Sequence, residues 1–454
     1  MRKLHGTIRK WFLFAAAMLL ALTGCGRKIE KEPITLSVWH VYGQYTDSPL
    51  NTLIEEFNET VGWKEGIKIQ VTAVSNTSNI HDDVLRAAQG EPGAATLPDL
   101  FISYPKTVMA MPDPEILVNY RDYFSDEELS DFVPEFLEEG YVEDRLVVFP
   151  IAKSTEIMFV DKTLFDRFAA AAGVRLEDLT TWQGLFDVSR DYYEWTDAQT
   201  PDVENDGKAF FVHDYWFNYF QVGVESLGEN FFNGEDFVFG NAFEKAYDQL
   251  ANAAITGGIW MKEGFATEPL RTGDAVVSVG SSASVLYYED RVTYEDNRSE
   301  AIEMIAMPVP HFDGGEKMVM LRGAGFCTVK STPEREKAAM IFLKWLTDAE
   351  NNVRFVTETG YMPVTKKAFE LLPDAMEKLE NPKYRSLYKA YVETQEQYHF
   401  HTAPKLVTYL EKESSFETSI RALFKDAIKQ RQEGEDPEKL KAEVYDNLKD
   451  KAMR

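Results

Sequence analysis

Between residues 34 and 103 the hydrophobic period of the chain switches repeatedly, and this alternation restricts it to one broad class of fold. Residues 34–41 read Ile-Thr-Leu-Ser-Val-Trp-His-Val, a strand-like alternation between Pro33 and Gly43. Ser48-Pro49 then opens a helix in which Leu50, Leu53, Ile54 and Phe57 recur at helical spacing, with Gly62 placed to close it. A second strand follows at 67–74, a helix around 82–89, and a third short strand at Pro98-Asp99-Leu100-Phe101-Ile102-Ser103. Strand, helix, strand, helix, strand predicts a parallel α/β sheet.

A different texture begins near Phe149. Residues 149–160 read as strands leaving the first unit, and 163–172 as a helix ended by Gly173. Residues 196–240, rich in aromatics, Gly, Asp and Asn, read as loops and short helices. A helix at 244–254 stops at Gly257-Gly258, and 276–280, 302–309 and 323–329 read as buried strands. Pro333 begins an amphipathic helix through Ala338, Ile341, Phe342 and Trp345, and the remainder is mostly helical and charged. The chain is expected to cross between two lobes more than once.

Composition narrows the function. The chain has 454 residues, 48 Lys plus Arg against 75 Asp plus Glu, and a net charge of −27. Such an acidic protein lacks the basic clusters needed to coat nucleic acid or to rest on anionic lipid. Its two cysteines exclude a disulfide scaffold and a four-cysteine zinc site.

The N-terminus reads as an address. Arg2, Lys3, Arg9 and Lys10 precede an apolar run from Trp11 to Leu22, shorter than the roughly 20 residues a spanning helix needs. This is the pattern of a secretory signal. Its end, Leu22-Thr23-Gly24-Cys25, resembles the lipobox of bacterial lipoproteins, in which the cysteine thiol carries a diacylglycerol. The expected layout is therefore a signal at 1–24 and a lipidated Cys25 with a polar tether over 25–33. Removing the four basic residues leaves the exported chain still more acidic. Cys327, in the apolar run Gly325-Phe326-Cys327-Thr328-Val329, is expected to be a buried, inert thiol.

Several stretches occur together and in order: Trp39-His40, Leu53-Ile54-Glu55-Glu56-Phe57-Asn58, Pro98-Asp99-Leu100, Ser154 through Lys162, the helix from Pro333, and Gly360-Tyr361-Met362-Pro363-Val364. Behind a lipobox, they resemble the extracellular solute-binding proteins of bacterial ABC importers that take up oligosaccharides and glycerol phosphate compounds. The resemblance covers the whole mature chain. It implies an α/β clamp of two lobes with a ligand cleft between them, closing by hinge motion and presented to an ABC permease. Lobe 1 is expected to combine 34–152 with 308–358, and lobe 2 to combine 153–307 with 359–454. It further implies a monomer without cofactor on the outer face of the cytoplasmic membrane.

A sugar site needs aromatic platforms and hydrogen-bonding partners. Ligands of open α/β sheets lie beyond the carboxyl ends of strands, which selects Tyr42 after the first strand and Tyr104, with Lys106, after the third. Trp39 reads as core. Ser281 and Ser282, in Gly280-Ser281-Ser282-Ala283-Ser284, could offer hydroxyls and backbone N–H groups to sugar or phosphate oxygens. The turn lacks the second glycine of a nucleophile elbow. The resemblance adds Ser154 and Thr155 at the first crossing, Trp216 as a stacking platform with Phe217 left to the core, Arg322 and Gly323 where backbone approaches ligand, and Tyr361 as a cap.

Two departures bear on the ligand. Relatives that bind glycerol phosphate carry an acid where this chain has Pro105, and a tyrosine in the loop where it has Ser75-Asn76-Thr77-Ser78-Asn79. A sugar or oligosaccharide is therefore preferred, with glycerol 3-phosphate or a glycerophosphodiester as the alternative. The acidic field would slow an anion, although Lys106, Lys153 or Arg322 could reverse it locally. Asp202, Glu204 and Asp206 ahead of Gly207 resemble the start of a calcium loop, but His213 stands where the closing glutamate belongs. His399-x-His401 lacks zinc spacing. A lipid-anchored glycosidase would need two carboxylates flanking one bond, and no motif marks such a pair. A surface adhesion or chaperone lipoprotein is a third reading.

Overall fold

The structure is a computed structural model that describes residues 32–42, 48–75 and 79–452. The expected signal segment 1–24, the Cys25 lipidation site and the tether up to residue 31 lie outside the described residues.

Strands β1 (Ile34–His40), β2 (Ile67–Val74) and β3 (Leu100–Ser103) are parallel, as the alternation predicts, with β1 central and Val38 opposite both Val71 and Leu100. The connecting helix Pro49–Glu59 starts where its sequence says it should. The Ser48 hydroxyl accepts the Asn51 N–H at the N-cap, Pro49 follows, and Leu50, Leu53, Ile54 and Phe57 turn into the core. The turn into β2 falls at Gly66 (φ +68), not at Gly62. Gly62 serves packing instead: a Cβ there would lie 2.7 Å from the Ile67 carbonyl oxygen.

Further strands are β4 (Phe149–Pro150), β5 (Ser154–Asp161), β6 (Phe211–His213), β7 (Val277–Ser281), β8 (Met304–Met307), β9 (Met318–Arg322), β10 (Gly325–Thr328) and β11 (His399–His401). The first sheet runs β2-β1-β3-β10-β4. The second runs β11-β9-β5-β7-β6, with β8 also paired to β5. All eight residues of β5 are buried, which is why it shows no clean alternation. It is the spine of the second sheet, flanked by β9 at its start, β8 at its end and β7 along its other edge.

The expected lobe boundaries differ from this pairing in two places. The stretch assigned to lobe 1 from residue 308 includes β9, which hydrogen-bonds to Ser154 and Thr155 in the second sheet. The passage between sheets is instead Gly323-Ala324, between β9 and β10. The segment after 359 also stays on the first-sheet side for one more helix. Lys366 N donates to Asp131 O (2.7 Å), Lys366 Nζ donates to Ser130 O (2.8 Å), and Phe369 meets the Phe136 ring. The next helix, Pro382–Gln397, reaches the second sheet, where Ser386 Oγ accepts from Ala306 N (3.0 Å). In the 196–240 stretch, helix Trp216–Ser226 is buried on nearly every face, so it carries no amphipathic period for sequence reading to find. Cys327 is fully buried in β10, as expected, and burial pushes its thiol pKa up.

Three chain segments meet where the two sheets adjoin: 151–153, 323–324 and 361–364. Lys153 N donates to Met362 O (3.1 Å) and Met362 N donates back to Lys153 O (2.6 Å). The Lys153 ammonium donates to Gly323 O (2.8 Å) and pairs with Glu139 of helix Pro134–Glu139. Gly323 has φ +99, and a Cβ there would sit 2.8 Å from Ser154 N. Only glycine fits both that conformation and that approach.

Candidate functional site

The carboxyl ends of β1, β3, β6 and β7 converge on one zone between the two sheets. From the first-sheet side come Tyr42 and Tyr104, the latter preceding the short helix Pro105–Met109. The Tyr42 ring is buried and meets Tyr361 edge-on at 5.1 Å and Phe355 at 5.0 Å. Its hydroxyl has no hydrogen-bond partner among the described residues. Tyr104 is half-buried, and burial pushes its phenol up to about 12 while the neighbouring Arg322 charge pulls the other way. From the second-sheet side come Arg322 at the end of β9 and Tyr215 just beyond β6. The Arg322 guanidinium lies over the Tyr215 ring, 4.8 Å from its centroid. Its Nη1 is 3.7 Å from Glu156 Oε1, too far for a hydrogen bond, and is buried without a hydrogen-bond partner among the described residues.

Tyr42, Tyr104, Arg322 and Tyr361 are thus brought near one another. Other expected residues hold structure instead. Thr155 Oγ1 donates to Met320 O (2.9 Å), and Ser282 Oγ accepts from Thr155 N (3.4 Å), so both hydroxyls stitch β5 to its neighbours. Ser154 pairs with Arg322 across the β5–β9 ladder, which holds that arginine in register. Gly323 shapes the junction. Ser281, partly exposed at the end of β7, offers its backbone N–H to Asp214. The expectation for Trp216 fails. Its indole is 0% exposed, packed against Phe211, His213 and Tyr219. The preceding Tyr215, 36% exposed, presents its ring instead. Trp216 is the first residue of a helix that buries its first turn, so the ring at the surface belongs to the residue before the helix.

An acidic group that sequence reading passed over lies at Arg322 and Arg421. Glu156, in fully buried β5, accepts from Asn218 Nδ2 (2.7 Å). Asp214 accepts from Ala266 N (2.7 Å), and its carboxylate lies over Gly280, where a Cβ would come within 2.5 Å of Oδ2. Glu417 accepts from Phe217 N (3.0 Å) and from Arg421 Nε (2.6 Å). Burial raises the pKa of all three carboxyls. The signal for Glu156 was present: an acid in an otherwise apolar strand. Lys106 is not a free cation. It joins Glu413 of helix Tyr409–Gln432 at 2.6 Å across the cleft, a bridge between the two sides. Lys153 is likewise taken up by the junction.

Glu156 sets a pH dependence. Burial lifts it to about 7 from the ordinary 4.5, against the opposing pull of Arg322 and Asn218. The folded protein therefore holds this proton more tightly than the unfolded chain does. Its ionisation destabilises the fold as pH rises from 4.5 towards 7, and the full cost persists above that. Glu156→Gln should unfold at higher denaturant than the parent at pH 8, and the two midpoints should converge near pH 4.5. Asp214 and Glu417 are common to both proteins and cancel in the difference. A gap that does not change with pH would refute this assignment.

The Asp202–Gly207 loop is tied by its own hydrogen bonds. Thr200 Oγ1 donates to Asp206 Oδ1 (2.5 Å), while Asp197 Oδ1 accepts from Asp206 N (2.8 Å) and Gly207 N (3.2 Å). Among the described residues no group of three or more His, Cys, Asp or Glu is arranged to hold a metal ion.

Known structures share this architecture. The cyclic α-maltosyl-1,6-maltose binding protein of Arthrobacter globiformis superposes with a TM-score of 0.65 at 17% identity, covering 93% of this chain and 99% of that one. An ABC substrate-binding protein of Listeria monocytogenes in complex with cycloalternan gives 0.66 at 13% identity, covering 92% and 98%. UgpB of Mycobacterium tuberculosis in complex with glycerophosphocholine gives 0.66 at 18% identity, covering 93% and 98%. Among curated protein sequences, none matches significantly. Residues 52–383 match the family described as bacterial extracellular solute-binding protein, and with most of its length so matched the chain belongs to that family.

Proposed function

We propose that this protein is the substrate-capturing subunit of an ABC importer and that its cleft takes a neutral sugar or oligosaccharide, delivered to the permease after the two sides close on it. The observation that carries this reading is the pairing of aromatic faces with unused donors. Tyr104, Tyr215 and Tyr361 offer rings, while the Arg322 Nη1 and Tyr42 hydroxyl groups are buried without a partner among the described residues. A polyhydroxylated ligand supplies acceptors for such donors and C–H faces for the rings. Glu156 and Asp214 beside Arg322, with Glu417 held by Arg421 and Glu413 by Lys106, leave no surplus of positive charge there, which disfavours an anion. Nothing in the arrangement makes or breaks a bond. The Arg322 guanidinium keeps a glycerophosphodiester as the second reading, in keeping with the glycerophosphocholine held by the Mycobacterium tuberculosis protein. The lipobox Leu22-Thr23-Gly24-Cys25 supports anchoring to the outer face of the membrane through Cys25, and Cys25→Ser should release the protein into the medium.

A thermal-shift series with maltotriose, mannotriose, cycloalternan and glycerophosphocholine tests the cleft. A true ligand at about a hundred times its dissociation constant adds about 2.7 kcal/mol to the folded state. The expected result is a shift with an oligosaccharide and no new reducing ends on prolonged incubation. A shift with glycerophosphocholine alone would install the second reading, and turnover would remove both.

A further inference from the structure

The second-sheet side carries another cavity, at the far end of the strands from the cleft. β6 and β7 run parallel, and their carboxyl ends, Asp214 and Ser281, face the cleft. Beyond their amino ends, next to Ala209 and Asp274, lies a cavity of about 720 Å³, within the range of small-molecule sites. Six separate stretches of chain build it, among them the end of the Asp202–Gly207 loop.

Three aromatics line the cavity: Tyr193, Trp260 and Tyr294. The position of Tyr193 is built in. Added Cβ atoms at Gly207 and Gly257 would come within 2.9 Å and 2.4 Å of its ring, so the phenol sits in a slot that only glycines leave open. The side chain is 4% exposed, and the Arg431 guanidinium lies 5.7 Å from its ring centroid. The loop carrying Gly207 is pinned to helix Tyr409–Gln432 by Arg431 Nη1 donating to Asn205 Oδ1 (3.1 Å) and Gln432 Nε2 donating to Asn205 O (3.3 Å). Asn205 is held there at φ +61.

Charge narrows the ligand class. The lining holds four basic and four acidic side chains, so the cavity has no net charge in a protein of −27. Arg298 is bound to Asp296 (2.6 Å), and the Lys262 ammonium covers the Trp260 ring at 4.2 Å. Aromatic faces and a balanced set of donors and acceptors match a neutral polyhydroxylated molecule. We infer that this cavity is a second carbohydrate-binding site, separate from the cleft, that takes a neutral oligosaccharide with Trp260 as its platform and Tyr193 in its wall. Lys262 lies where the sugar would stack and gives way to it. A site on the outside of one lobe remains open whether or not the clamp is closed, so it can hold a glycan while the cleft loads.

The test uses the full chain labelled with 5-fluorotryptophan, whose eight tryptophans give separate fluorine resonances, with Trp260→Phe assigning one of them. Maltotetraose, cellotetraose and mannotetraose are titrated in turn. At least one should move the Trp260 resonance with a dissociation constant on the order of 1 mM, in a phase distinct from any cleft phase. Lys262→Ala, which uncovers the ring, should tighten that phase severalfold and leave the cleft phase unchanged. A Trp260 resonance unmoved by all three sugars would overturn the inference. So would a resonance that moves only in step with the cleft phase and is indifferent to Lys262→Ala. A silent cleft beside a responding Trp260 would count against the proposed function alone.

Discussion

Lys153→Met should lower the stability of the protein by about 3–5 kcal/mol, read as a shift in its urea midpoint. The reason lies in what the lysine leaves behind. Its ammonium is 2% exposed and serves two partners, the Glu139 carboxylate and the Gly323 carbonyl (2.8 Å). Glu139 is only 13% exposed, so methionine strands a carboxylate away from water and orphans a carbonyl at the junction. The double variant Lys153→Met/Glu139→Gln should recover most of the loss, because it removes the unpaired charge, and the cycle isolates the coupling. The backbone bonds between Lys153 and Met362 persist in both variants. If Lys153→Met unfolds at the parent midpoint, the junction is held by the backbone and the ammonium is incidental.

The adjacent aromatics Tyr215 and Trp216 should separate cleanly in a pair of variants. Trp216→Ala removes an indole with no exposed surface, in contact with Phe211, His213 and Tyr219, and should cost about 3–5 kcal/mol of stability. Tyr215→Ala removes a ring that is 36% exposed and lies under Arg322. It should cost no more than about 1 kcal/mol of stability, while oligosaccharide affinity falls at least about tenfold, or 1.4 kcal/mol. Calorimetric titration and denaturant melts read the two effects. The opposite pattern, with affinity lost at Trp216 and stability at Tyr215, would restore Trp216 as the platform.

These two residues also show where sequence reading stops. The stretch Tyr215-Trp216-Phe217 was legible as a site of stacking or core aromatics, but the residue that faces the cleft depends on where helix Trp216–Ser226 begins. That helix is buried on almost all sides, so no periodic pattern marks its phase. The β5 spine has the same property. Its eight buried residues fixed its existence as a strand, while its pairing with β7, β8 and β9 was set by neighbours far away in the chain. The five residues of β9 went unassigned in sequence, and the strand expected at 323–329 began two residues before β10. Only the pairing shows that Gly323-Ala324 separates two strands of two different sheets.

Local chemistry determined what could be read directly. The β1–β2–β3 alternation, the Ser48 cap ahead of Pro49 and the buried Cys327 depend on residues near one another in sequence, and each stands as expected. The tyrosines after β1 and β3 were legible because strand ends in a parallel sheet always point one way. Tertiary structure alone decided the rest. It paired Lys106 with Glu413, placed Glu156 and Asp214 around Arg322, and drew Lys153, Gly323 and Met362 into one junction. These are contacts between residues tens to hundreds of positions apart. Burial, which sets their protonation and their strength, is a property of the assembled core and has no counterpart in the order of the residues.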